Sequence, residues 1–192
     1  MRPAVFLDRD GVLVEDCDLI TRPEQFRVLP GVPEALARLQ RAGFALVVVS
    51  NQAVVARGLA TEDEVEQLNV HLERVLVRAG APPVERWYFC PHHPAATLPA
   101  YRVDCACRKP RPGMLERAAC ELGLDLRASF MVGDRWTDVA AGARAGCRTV
   151  LVETGQHLAP PIQTSESLEA SIRADAIRGG LREAAEWILE VG

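Results

Sequence analysis

A three-layer α/β fold built on a parallel sheet is what this 192-residue chain predicts. Three observations carry the prediction. Short apolar runs alternate with segments of helical period, the pattern of repeated βαβ units. One run, FALVVV at residues 44–49, is apolar throughout, as a strand buried on both faces should be. And 48% of the residues are hydrophobic, enough at this length to close a sizeable core.

The elements follow in order. Ala4 to Leu7 reads as the first strand, running into Asp8-Arg9-Asp10-Gly11. A helix is expected over residues 32–42, with Pro30-Gly31 before it and Gly43 closing it. The second strand is bounded by Ser50-Asn51. Residues 61–79 read as a helix that Thr61 can cap with Glu64 three positions on, and Val65, Leu68, Leu72, Val75 and Leu76 recur at helical spacing. A third strand covers residues 86–89 and gives way to an irregular Pro-, His- and Cys-rich stretch, 90–112. Then come a helix at 114–122, a strand at 130–132, a helix at 139–145 and a strand at 149–152. Residues 155–171 are polar and read as a surface loop; 177–191 read as a closing amphipathic helix with Leu181, Ala184, Ala185 and Ile188 on one side. The first strand-to-helix connection is read as short, so no separate cap domain is expected, and residues 1–192 are taken as one domain.

A formal net charge of −4 with both signs interspersed argues against a nucleic-acid partner. No run approaches the roughly 18 apolar residues that span a bilayer, and the N-terminus lacks a secretory pattern, so a cytoplasmic, non-membrane protein is expected. No extended apolar stripe is left over, which makes a monomer the expectation. Six cysteines in a reducing compartment point to metal binding or buried thiols; Cys17, Cys120 and Cys147 are read as small buried apolar residues.

In open parallel sheets, ligands sit beyond the carboxyl ends of the strands. There the chain places Asp8 and Asp10, then Ser50-Asn51-Gln52, then Gly133-Asp134-Arg135 with Asp138 beyond, while Arg108-Lys109-Pro110 ends the irregular stretch. Acids, a hydroxyl and a lysine thus converge on one edge. Mg²⁺ is a hard cation held by one or two carboxylates plus phosphate oxygens, and a lysine and a hydroxyl can balance the charge of a phosphoryl group. Asp8 and Asp10, at i and i+2, leave an extended chain on the same side. One aspartate of such a pair can attack without a base; the other can be raised by its neighbour's charge and deliver a proton.

FLDRDGVL, VVVSNQ, RKP and VGDRWTD resemble, in order, the four motifs of the haloacid dehalogenase superfamily of phosphohydrolases. The resemblance covers roughly residues 4–152. It implies the haloacid dehalogenase-like fold, Asp8 as nucleophile forming an aspartyl-phosphate, and Asp10 as general acid and then base. It further implies Ser50 and Lys109 as stabilisers of the transferring phosphoryl group, and a Mg²⁺ site of Asp8, Asp134 and the Asp10 carbonyl. Asp138 is left open: it can orient Lys109 or bound water.

Within CPHHPAATLPAYRVDCACRKP, Cys90-x-His92 and Cys105-x-Cys107 are separated by 12 residues. Three thiolates and an imidazole in a loop suit a tetrahedral structural Zn²⁺, with His93 as the competing imidazole; the family resemblance favours His92. Such a loop, at about 90–107, running directly into CRKPRPGM resembles the heptose bisphosphate phosphatase subgroup, whose sibling is the histidinol-phosphate phosphatase domain. The resemblance implies Mg²⁺-dependent removal of the 7-phosphate from D-glycero-D-manno-heptose 1,7-bisphosphate, a small-molecule substrate, in activated-heptose or lipopolysaccharide precursor synthesis. It implies Arg108 and Arg135 as substrate contacts, with Asp16, Cys17, Asp18, Leu19, Ser50, Asn51, Gln52 and Ala53 lining the sugar pocket. The chain departs from the subgroup where Ala53-Val54-Val55 replaces a common Ser-Gly-Ile, and at Val14. Other readings are another small-substrate phosphatase, a zinc-stabilised interaction module and a phosphoacceptor domain.

Overall fold

The computed structural model describes residues 1–159 and 173–192. Among these residues a six-stranded sheet runs in the order β3-β2-β1-β4-β5-β6, every pairing parallel. The strands are β1 (Ala4–Leu7), β2 (Ala45–Asn51), β3 (Arg86–Cys90), β4 (Phe130–Gly133), β5 (Arg148–Val152) and β6 (Ala176–Arg178). The helices are α1 (Val32–Arg41), α2 (Ala53–Ala56), α3 (Glu62–Arg78), α4 (Gly113–Leu122), α5 (Trp136–Ala145) and α6 (Leu181–Val191). The order reverses between β1 and β4, and that switch opens a crevice at their carboxyl ends.

The pleat sorts alternate strand residues to opposite faces. Val5, Leu7, Leu46, Val48, Phe130, Val132, Val150 and Val152 pack with residues of α1, α3 and α6. Ala4, Phe6, Ala45, Val47, Val49 and Met131 pack on the other face with α4 and α5. Helices therefore cover both faces, and β1 and β4 are buried throughout. The capping box of α3 forms as its residues predict: Glu64 N–H donates to Thr61 Oγ1 at 3.2 Å, and Thr61 N–H to Glu64 Oε2 at 2.7 Å.

Four expectations are corrected. The closing helix starts at Leu181, not 177; Ala176–Arg178 is an edge strand on β5 instead. Gly179-Gly180 separates the two, and a strand this short shows no period in sequence. The first connection, residues 8–31, is not short. It folds back on itself through bridges pairing Asp10 with Val14 and Val14 with Val28, then a 3₁₀ turn at Pro23–Gln25. Helix α5 begins at Trp136, three residues before its apolar period is readable, because Asp138 in its first turn accepts from the Arg135 N–H at 3.0 Å and caps it. Cys17 and Cys120 are exposed; Cys147 alone of the three lone thiols is buried, and burial pushes it up to about 12. The loop expected at 155–171 begins in turns at 155–159; the rest of it lies outside the described residues.

Candidate active site

The β-strand ends converge on a cleft of about 340 Å³. Asp8 and Asp10 come from the end of β1, Ser50 from β2, Lys109 from the segment entering α4, and Asp138 from the first turn of α5. Lys109 is the electrostatic centre. Its Nζ lies 3.1 Å from Asp8 Oδ1 and 2.6 Å from Asp138 Oδ1, and donates to the Val49 carbonyl at 2.8 Å. Burial pulls the ammonium down, but Asp138 and Asp8 outweigh it and hold it above its ordinary value. Asn51 fixes its backbone, donating to the Lys109 carbonyl (3.0 Å) and accepting from its N–H (3.1 Å). The Asn51 amide is therefore committed to the loop.

Burial pushes Asp8 up to about 6, against the pull of Lys109 and with Asp138 and Asp10 adding like charge. Asp134 is pushed to about 8 by burial, then by Asp8 and Asp138. Its Oδ2 accepts from Gln156 N–H at 2.7 Å, while Oδ1 is buried without a hydrogen-bond partner among the described residues. Carboxylate oxygens of Asp8, Asp134 and Asp138 lie within 4.8 Å of one another. A buried carboxylate oxygen left bare beside two others is what a hard divalent cation needs. Asp138 spends one oxygen on Lys109 and the other on Arg135 N–H at 3.0 Å, so its geometry is that of an anchor for Lys109. Gly11, at φ +81°, packs so tightly on Asp134 that a Cβ would overlap the carboxylate.

Most of the residues singled out from sequence line the cleft: Asp16, Asp18, Leu19, Gln52, Ala53, Arg108 and Arg135 join those above. Arg135 donates to Asp16 Oδ2 at 2.7 Å, tying the first connection to the start of α5. Cys17 does not join them; it faces a separate shallow depression beside Glu15 and Arg22. Arg57, His93 and Thr137 line the cleft and were not assigned there. A lone arginine after an Ala-Val-Val-Ala run carries no signal of its own. Val54 and Val55, at the departure from the subgroup pattern, pack with Val65 in a small cluster, and Val54 also reaches the cleft lining. Val54 sits in α2, a helical backbone that needs no glycine.

Cys90, His92, Cys105 and Cys107 meet in one group. Their sulfurs lie 3.1–3.6 Å apart, and His92 Nδ1 is 3.6 Å and 3.7 Å from the Cys107 and Cys90 sulfurs. Tetrahedral ligands at Zn–S of about 2.3 Å would stand roughly 3.8 Å apart, so small adjustments admit the ion. His93 turns away, its Nδ1 accepting from Ala95 N–H at 3.0 Å. Burial pushes the Cys90 thiol up. Burial acts the same way on Cys105, but hydrogen bonds from Cys107 and the Arg108 backbone outweigh it and lower that thiol. The cluster is tied to the cleft: Arg108 donates to the His92 carbonyl at 2.8 Å, and Gly113 N–H to the Ala106 carbonyl at 3.1 Å. A Cβ on Gly113 would overlap that carbonyl, which accounts for glycine in the CRKPRPGM run.

A parallel sheet with a lysine-bridged aspartate at its switch point, a second aspartate two residues on and a third beyond β4 fits the haloacid dehalogenase-like hydrolases that the four motifs resemble. A family profile described as HAD-hydrolase-like matches residues 106–184. The chain is 41% identical over 181 residues to the D-glycero-beta-D-manno-heptose-1,7-bisphosphate 7-phosphatase of Photorhabdus laumondii, covering 92% of this chain and 96% of that one. The enzyme of the same name from Escherichia coli is 39% identical over 174 residues, covering 90% and 91%. The crystal structure of the D,D-heptose 1,7-bisphosphate phosphatase of B. bronchiseptica, complexed with magnesium and phosphate, superposes with a TM-score of 0.82 at 32% identity and 99% coverage of both chains. The chain belongs to the D-glycero-beta-D-manno-heptose-1,7-bisphosphate 7-phosphatase family.

Proposed function

We propose that this protein hydrolyses the 7-phosphate of D-glycero-D-manno-heptose 1,7-bisphosphate through an aspartyl-phosphate on Asp8. The observation that carries the reading is the contact of Asp8 with the buried Lys109 in a cleft that also holds Asp10 and Ser50. In the first displacement an Asp8 oxygen bonds phosphorus as the bond to the sugar oxygen breaks, and Asp10 gives that oxygen its proton. In the second, a water oxygen bonds phosphorus, the Asp8 bond breaks, and the water's proton passes to Asp10. Lys109 and Ser50 face the phosphoryl oxygens, where stabilisation of developing charge counts most. Asp8, Asp134 and the Asp10 carbonyl would hold Mg²⁺, which supplies further positive charge to those oxygens. Arg57, Arg108 and Arg135 along the cleft wall are suited to a substrate with a second phosphate. The Cys90, His92, Cys105 and Cys107 group would hold a structural Zn²⁺, closed to substrate.

Two measurements test this. Asp8→Asn should abolish turnover with the fold preserved by circular dichroism; substantial residual activity removes Asp8 as nucleophile. A panel of heptose 1,7-bisphosphate, fructose 1,6-bisphosphate and histidinol phosphate should show kcat/KM highest for the first, and a higher value for either other overturns the substrate.

A further inference from the structure

Arg9 sits between the two acids and is buried in the fold. A buried arginine is rare unless its donors are used, and here they are. The guanidinium grips Asp10 as a fork, Nε to Oδ1 and Nη2 to Oδ2, both at 3.0 Å. Nη2 also reaches Gln52 Oε1 at 2.9 Å, and Nη1 reaches Asn69 Oδ1 on α3 at 3.0 Å. The Gln52 amide closes the ring, donating to Asp10 Oδ2 at 2.9 Å and to Ser50 Oγ at 2.7 Å. The Phe26 ring, 5.5 Å from Cζ, covers the remaining face. The backbone N–H of Arg9 donates to Asp8 Oδ1 at 2.7 Å.

We infer that Arg9 is a positioning residue: anchored by Asn69 and Gln52, its planar fork fixes the plane of the Asp10 carboxylate relative to Asp8. A lysine would keep the charge and lose the fork. The inference rests on the roles proposed above for Asp8 and Asp10, but not on which sugar phosphate is the substrate. An enzyme that cleaves an aryl phosphate and ignores heptose 1,7-bisphosphate would sink the substrate reading and leave this one standing.

The probe is 4-nitrophenyl phosphate, in stopped flow with the Mg²⁺-supplied enzyme. Its first displacement forms the Asp8–phosphorus bond as nitrophenolate leaves without needing a proton; only the second displacement needs Asp10, as base. In Arg9→Lys, one equivalent of nitrophenolate should therefore appear at the wild-type rate while steady-state turnover falls about 10²-fold, the cost of a reacting group displaced by about an ångström. Asn69→Ala, which loosens the anchor and keeps the arginine, should show the same split to a smaller degree and decides the matter if Arg9→Lys does not fold. Equal loss in burst and steady state, or no change in either, overturns the inference.

Discussion

Lys109 shows how one side chain sets the electrostatics of the cleft. Two carboxylates contact its ammonium, at 3.1 Å and 2.6 Å, and its own side chain is almost entirely buried. Removing one partner of a buried ionic cluster leaves the others uncompensated, which costs about 3–5 kcal/mol. Lys109→Met should therefore destabilise the metal-free protein by about that much in urea unfolding, besides removing activity. A loss under 1 kcal/mol would mean that Asp8 and Asp138 are neutral or reached by solvent. At this scale the sequence was legible where residue type alone carries chemistry: Asp8, Asp10, Ser50 and Lys109 all line the cleft. It was not legible where a role depends on a partner far along the chain. Arg9 was chemically mute until Asn69, sixty positions away, stood within 3.0 Å of it.

Among the elements, the loop from β3 to α4 bears most on the cleft, because it carries both the cysteine–histidine group and Lys109. Arg108 joins the two through the His92 carbonyl, and with little apolar content of its own the loop would take its order from the metal proposed for that group. Cys105→Ser should cost the protein its bound zinc, read as loss of one equivalent by atomic emission. It should also raise KM more than it lowers kcat, since Arg108 and His93 lose their support while Asp8 and Asp10 do not. Purified wild-type protein without zinc would remove the metal reading of this loop. The elements with strong patterns, α1 and α3 and the apolar β2, were readable from sequence to within a residue or two, since burying one face of a helix imposes a period and burying both faces of a strand imposes an unbroken apolar run. The sixth strand was not, because three residues on a sheet edge bury too little to leave one.

For the whole molecule, the parallel order places buried carboxylates together at one end of the sheet, and the fold carries that repulsion at neutral pH. Asp8 is raised to about 6 and Asp134 to about 8, both well above unfolded values near 3.8. An acid whose folded pKa is raised binds protons better folded than unfolded, so its stabilisation is present at low pH and fades as pH climbs through the folded value. From these groups, metal-free protein should lose stability between pH 5 and about pH 8. Mg²⁺ binds the ionised forms and stabilises by mass action, so the Tm gain on adding it should be larger at pH 8 than at pH 6. Equal gains by calorimetry would mean that Asp134 is not among the ligands.

The sequence by itself determined the fold class and the reaction type, and it singled out the residues proposed to attack, shuttle protons and bind metal, because strand burial and metal or phosphoryl chemistry each demand particular residue types at short spacings. Only the tertiary structure decided which groups serve those residues: Asp138 as the anchor of Lys109, Asn51 as the clamp on its backbone, His92 rather than His93 in the thiolate cluster, and Arg9 as the holder of Asp10. Those assignments depend on which distant side chains the crossovers bring within hydrogen-bond reach, and no local spacing records that.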